Sequence, residues 1–249
     1  FIISFILLFK TSSLTANLSA HEKNIIMKSI IPSKNTGHTD IRFFDDIAYD
    51  SEAERNADPC TARDCKWEQA SDGLVYVPFI IANHYSDERA IIERGLQSFH
   101  SVSCIRFVPH TNQRDYIHIQ CYSFVGRHLN GQTLSLNRNG CLYHNAVQHE
   151  LLHALGFHHE QSRSDRDQHI RILLENVTPG FEYAFNKVNT LNQGTPYDYN
   201  SVMHYDRYAF SKNNQPTMVA VPNPNTEFGK ATQMSQNDIT RLNRLYKCR

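Results

Sequence analysis

The 249-residue sequence has no excess charge of either sign, because 25 lysines and arginines face 25 aspartates and glutamates. Nucleic acid and an anionic membrane surface are therefore not expected as partners, since neither would find an electrostatic handle. It has no CxxC pair, and none of its six cysteines (60, 65, 104, 121, 141 and 248) falls within its densest histidine cluster. Cysteine-bound zinc is accordingly not expected. Internal repeats, low-complexity tracts and apolar runs of membrane-spanning length are all missing. The opening run "FIISFILLF" (1–9) would reach roughly 14 Å as a helix, about half a bilayer core. It reads as the apolar part of a secretory signal, with the small residues of "NLSA" (17–20) offering a cleavage site. No Met or basic residue precedes it, so this signal is expected to be truncated at its start.

What is present is a chain 40% hydrophobic and 11% aromatic, rich enough to form one globular domain with an attached segment. In a secreted chain six cysteines point to three disulfides, whose pairing the residues themselves leave open. Residues 21–55 are polar and free of cysteine; from "NADPC" at 56 the cysteines and the aromatic density begin. The boundary is placed between Arg55 and Asn56, a basic residue after the acidic "DSEAE" and a site for a trypsin-like protease. The expected organisation is a signal peptide over 1–20, a removable pro-segment over 21–55 and the main globular domain over 56–249.

Strands are predicted at "GLVYVPFIIA" (73–82), "CIRFVP" (104–109), "YIHIQC" (116–121) and "TLSLN" (133–137) from their β-branched and aromatic content. A helix is predicted over 86–103, from a Ser/Asp cap, with Ile92, Leu96, Phe99 and Val102 at helical spacing. A second is predicted over 144–155, ending at Gly156, with Val147, Leu151, Ala154 and Leu155 on one buried face. Loop-rich chain follows residue 160, and a last helix starts at the Ser235 cap, burying Ile239, Leu242, Leu245 and Tyr246.

The chemistry concentrates in "HELLHALGFHH" (149–159). Residues four apart on a helix share a face, so His149 and His153 present two imidazoles to one metal ion. Glu150, one position on, is angled away from direct ligation and can hold and deprotonate a water. Gly156 can take the left-handed conformation that ends the helix and lets His159 return as a third ligand. His158 should point elsewhere. Three histidines leave a coordination position open, which is the arrangement of a catalytic zinc site. Some forty residues on, "SVMHY" (201–205) supplies Met203 as an apolar floor and Tyr205 as a phenol able to ligate or to donate to an oxyanion. His204 reads as structural.

These two motifs together, "HELLHALGFHHEQSRSDRD" and "SVMHY", resemble the astacin family of metzincin metalloendopeptidases over residues 56–249. The resemblance implies an α+β fold of two subdomains flanking an active-site cleft. The N-terminal one carries a twisted sheet and the zinc helix; the C-terminal one is irregular and includes the last helix. It implies one Zn2+ per chain on His149, His153 and His159, Glu150 as general base, and Tyr205 as a further ligand that swings out to support the transition state. It also implies a zymogen, in which an FxGD motif blocks the zinc. Here "FFDD" supplies Phe43 and Asp46, with Asp45 where the family has Gly, a residue that takes positive φ less readily than Gly does. In the family, Glu160 meets the new N-terminal amine, which here belongs to Asn56. The implied disulfides are Cys104–Cys248 and Cys121–Cys141, leaving Cys60 and Cys65 to pair locally.

"NADPCTARDCKW", "SLNRNGC" and "QSRSDRD" further resemble fish hatching enzymes (choriolysins) and their six-cysteine astacin relatives. The expectation is a secreted protease, delivered through secretory granules and monomeric, that digests egg-envelope glycoproteins. A nephrosin-like six-cysteine protease of another tissue shares every site residue and differs in its protein substrate. A catalytically dead, zinc-stapled binding domain is disfavoured because neither the base nor the open site is damaged.

Overall fold

The structure is a computed structural model that describes residues 42–44, 47–49, 65–85, 88–120, 123–124, 127, 130–135 and 143–249. Four strands, β3 (Val75–Ile81), β4 (Ile105–Pro109), β5 (Ile117–Gln120) and β7 (Gln132–Ser135), form an all-parallel sheet in the order β4-β3-β5-β7. Two further strands before them, β1 (Arg42–Phe44) and β2 (Ile47–Tyr49), pair antiparallel, and β2 runs parallel to β6 (Ser123–Phe124). The expected strands are thus present, with ends that differ by a residue or two: β3 and β4 start later than expected, and β7 starts one residue earlier, at Gln132.

Helix α1 (Arg89–Gln97) and helix α2 (His144–Ala154) lie against the sheet. The predicted helix over 86–103 is shorter than expected, because the chain leaves helical form after Gln97 in a series of turns. Its apolar residues are nevertheless buried: Ile92, Leu96 and Phe99 pack with Val75, Val77, Ile105, Ile117, Leu134, Val147 and Leu151 in one core. On β3 and β4 the residues between the buried ones, Tyr76 and Arg106, face outward or are half-buried. This is the period-two alternation of a sheet packed on one face.

Beyond residue 160 a second, smaller core forms from Ile170, Val177, Phe185, Tyr197, Tyr205, Phe210, Met218 and Phe228. It is built from short turns and one strand pair that the sequence reading did not anticipate, β8 (Ile170–Ile172) with β9 (Met218–Ala220), antiparallel. The last helix, α3 (Gln236–Tyr246), begins at Ser235 as expected, with a capping box completed by Asp238. It follows the second core in sequence yet buries Leu242, Leu245 and Tyr246 in the first. In the half-buried stretch 176–178, Asn176 Nδ2 donates to the Pro216 carbonyl at 2.7 Å and Thr178 Oγ donates to the Phe210 carbonyl at 2.8 Å.

A disulfide joins Cys104, just before β4, to Cys248, just after α3. Cys65 is disulfide-bonded as well, while Cys60, Cys121 and Cys141 lie outside the described residues. No helix among the described residues is long and apolar enough to cross a membrane. Closing a loop of 144 residues restricts the unfolded chain heavily. Replacing both Cys104 and Cys248 by Ser should cost roughly 3–5 kcal/mol and lower Tm by about 10 °C. Calorimetry of that variant decides; melting at the wild-type temperature would remove the disulfide from the account of stability.

Candidate metal centre

Helix α2 is where periodicity becomes chemistry. Val147, Leu151 and Leu155 turn into the core, which leaves His149 and His153 on the adjoining stripe. The helix stops where its last carbonyls find other donors. The Trp67 indole N–H donates to the Ala154 carbonyl at 3.0 Å, and the Tyr246 hydroxyl to the Leu155 carbonyl at 3.1 Å. Gly156 then takes φ +99°, a left-handed value, and the chain doubles back.

His159 thereby reaches the other two. The Nε2 atoms of His149 and His153 are 3.0 Å apart, those of His153 and His159 3.2 Å, and those of His149 and His159 3.3 Å. His153 and His159 are buried and His149 is half-buried. His158, next to His159, is not part of the group.

Two tautomers are fixed by geometry. His149 Nδ1 lies 2.8 Å from the Val202 carbonyl and His153 Nδ1 lies 2.6 Å from the Phe157 carbonyl. A carbonyl oxygen only accepts, so both Nδ1 atoms carry the proton and both Nε2 atoms carry lone pairs. Two lone pairs set 3.0 Å apart repel unless a cation lies between them. Tetrahedral zinc, with Zn–N bonds of about 2.0–2.1 Å, places its nitrogens about 3.3–3.4 Å apart, close to the observed triangle. The donor set is hard to explain otherwise, and it fits zinc.

The site's other members lie around this triangle. Glu150 is buried beside His149 on α2. Tyr205 is buried, with its ring 4.4 Å from that of His159. Its hydroxyl has no hydrogen-bond partner among the described residues, a costly state for a buried phenol that has no ligand to meet. Its backbone is tightly held: the N–H donates to Gln161 Oε1 at 3.1 Å, and the carbonyl accepts from His204 Nδ1 at 2.8 Å. His204 in turn accepts from the Tyr197 hydroxyl at 2.7 Å through Nε2. Burial pushes the His204 imidazole down to about 3, which keeps it neutral and able to play both roles. Met203 is buried in the first core, two residues from Tyr205 in the second.

Glu160 has partners that the sequence did not point to. It is fully buried, but it accepts from Arg241 at 2.5 and 3.1 Å, from Arg163 at 3.3 Å and from the Asp198 N–H at 2.7 Å. Burial pushes its carboxyl up, and the Arg241 and Arg163 guanidinium groups pull it back. Its burial does not by itself call for an amine from Asn56. Asn56 and Asp46 lie outside the described residues.

Three residues of the site were not singled out from the sequence. Arg241 and Asp238 both come from α3, with Asp238 hydrogen-bonding Ser201 and Val202. Gly229, at φ +70°, sits so close that a Cβ there would lie 2.4 Å from the Tyr205 carbonyl oxygen. Only the capping-box spacing from Ser235 to Asp238 could have drawn attention to one of them.

A profile of the peptidase family Astacin matches residues 62–247. The chain belongs to the astacin family. It is 49% identical over 201 residues to high choriolytic enzyme 1 of Oryzias latipes, covering 78% of this chain and 74% of that one. To the low choriolytic enzyme of the same fish it is 45% identical over 201 residues, covering 78% and 74%. The solved structure of high choriolytic enzyme 1, a hatching enzyme zinc-protease, matches with a TM-score of 0.75 at 48% identity, covering 78% of this chain and all of that one. This astacin is therefore a zinc metalloendopeptidase, with His149, His153 and His159 placed to hold one metal ion. Replacing His159 with Ala should leave the purified protein well short of one zinc per chain, whereas His158→Ala should keep its zinc. Metal analysis of both variants tests the triad, and the reverse pattern would overturn it.

Proposed function

We propose that this astacin is made as a secreted zymogen whose mature form cuts egg-envelope proteins, with Glu150 as general base and Tyr205 as oxyanion donor. The observation that carries the reading is the convergence of three Nε2 atoms beside a buried phenol hydroxyl that lacks a partner among the described residues. The egg-envelope substrate is supported by the likeness to the high and low choriolytic enzymes.

When bound, zinc supplies Lewis acidity, which acidifies water toward neutral pH and polarises a carbonyl. Glu150 takes a proton from the attacking water and passes it to the leaving amine, a transfer that needs a carboxylate held close and partly dried. Burial of Glu150 provides that setting. The Tyr205 hydroxyl donates to the oxygen that gains charge as the scissile carbonyl becomes tetrahedral.

For latency, residues 1–20 are read as the signal and 21–55 as the propeptide, with Asp46 as the group that occupies the zinc. The parallel pairing of β2 with β6 supports a pro-segment laid on the catalytic domain. Cleavage between Arg55 and Asn56 by a trypsin-like protease would remove it.

Glu150→Gln should retain zinc while losing activity by roughly 10²–10⁴-fold on a protein substrate. Zinc content and casein cleavage, measured on the same preparation, decide the mechanism, and normal turnover would refute it. Incubation with isolated egg envelope decides the substrate. Cleavage of casein with no action on the envelope would favour a protease of another tissue.

A further inference from the structure

The three zinc ligands are not equally secured. His153 finds the acceptor for its Nδ1–H four residues on, at Phe157 just past the end of α2. His159 is followed by Glu160, whose N–H donates to the Met203 carbonyl at 2.9 Å. His149 is the half-buried one of the three, and its acceptor, the Val202 carbonyl, comes from a segment 53 residues away. Its orientation and tautomer depend on how that one peptide group is held.

The peptide between Val202 and Met203 is held from its other edge. Its carbonyl receives the His149 proton, and its N–H, on Met203, donates to Ser201 Oγ at 3.0 Å. Ser201 is fully buried, and its hydroxyl proton goes to Asp238 Oδ1 at 2.6 Å. Asp238 Oδ2 accepts from the Val202 N–H at 2.9 Å, which fixes the preceding peptide too. The same Oδ2 accepts from the Ser235 N–H at 2.9 Å, completing the cap of α3. One buried carboxylate thus joins the last helix to both peptides flanking Val202.

We propose that Asp238, acting through Ser201 and the Val202–Met203 peptide, is a positioning residue of the zinc centre that sets the tautomer and aim of His149. A helix cap alone has no use for the two bonds to Ser201 and Val202. Three donors converge on its two oxygens, which suits a carboxylate because both of its oxygens accept. Asn keeps only one accepting oxygen, so in its place either the Ser201 hydroxyl or the pair of backbone N–H groups loses its acceptor. With the peptide free to rotate, His149 loses the acceptor that holds its proton on Nδ1. The competing tautomer carries the proton on Nε2 and cannot ligate. Loss of an outer partner of this kind typically weakens metal affinity by about 10–100-fold.

The test separates the relay from the cap. Ser201→Ala cuts the path to His149 and leaves the helix cap intact. Ser235→Ala removes the hydroxyl half of the cap, together with its bond to Asp198 Oδ2, and leaves the bonds from Asp238 through Ser201 to the Val202–Met203 peptide in place. Zinc affinity is measured by chelator competition on the full expressed protein, alongside Tm. Asp238→Asn and Ser201→Ala should each weaken zinc binding by roughly 10–100-fold. Ser235→Ala should lower Tm and leave zinc affinity unchanged. If Asp238→Asn fails to fold, Ser201→Ala carries the test alone. Wild-type affinity in Ser201→Ala, or an equal loss of zinc in Ser235→Ala, would reduce Asp238 to a structural residue. A wild type that holds no zinc would instead sink the metal reading on which this rests.

Discussion

Lone pairs do not attract one another, and in this protein they are made to meet. Backbone carbonyls at Val202 and Phe157 fix the protons of His149 and His153 on Nδ1, so their Nε2 atoms confront each other across 3.0 Å. The repulsion is tolerable only with a cation between them, and the rest of the site is arranged around that requirement. Helix α2 sets two of the rings by its pitch, and a left-handed glycine returns the third. The carbonyls hold the imidazoles in the one protonation pattern that suits a metal.

The segment from Ser201 to Tyr205 is the seam of the molecule. Met203 belongs to the core under the sheet, and Tyr205 to the aromatic core beyond it. The Val202 and Met203 carbonyls of this segment meet His149 Nδ1 and the Glu160 N–H. Helix α3 closes over this seam from the C-terminal end, with Asp238 on Ser201 and Val202 and Arg241 on Glu160. The Cys104–Cys248 bond then ties the end of that helix to the sheet. A site drawn from one helix and one turn is in this way supported by the far end of the chain.

Much of this was legible in the sequence where the physics is local. The four-residue interval from His149 to His153, the breaking glycine at 156 and the Ser235 cap each act within a few residues of themselves. So does the apolar face of α2. The strands showed through their β-branched runs, though their ends moved, because strand ends are set by neighbours and not by propensity. What stayed hidden depends on tertiary contact. Nothing near Glu160 signals that Arg241, 81 residues on, neutralises it. Gly229 looks like an ordinary loop glycine until its contact with the Tyr205 backbone is seen. The Ser235 cap was visible, but Asp238 as the anchor of the Met203 segment was not, because its bonds to Ser201 and Val202 cross to a different part of the fold. The strand pair β8–β9 is too short to leave a periodic trace.

X-ray absorption at the zinc edge of the purified protein tests the central claim most directly. The account predicts a first shell of three imidazole nitrogens at about 2.0–2.1 Å completed by oxygen, and no sulfur. A shell containing sulfur, or one filled entirely by side-chain nitrogens, would contradict it.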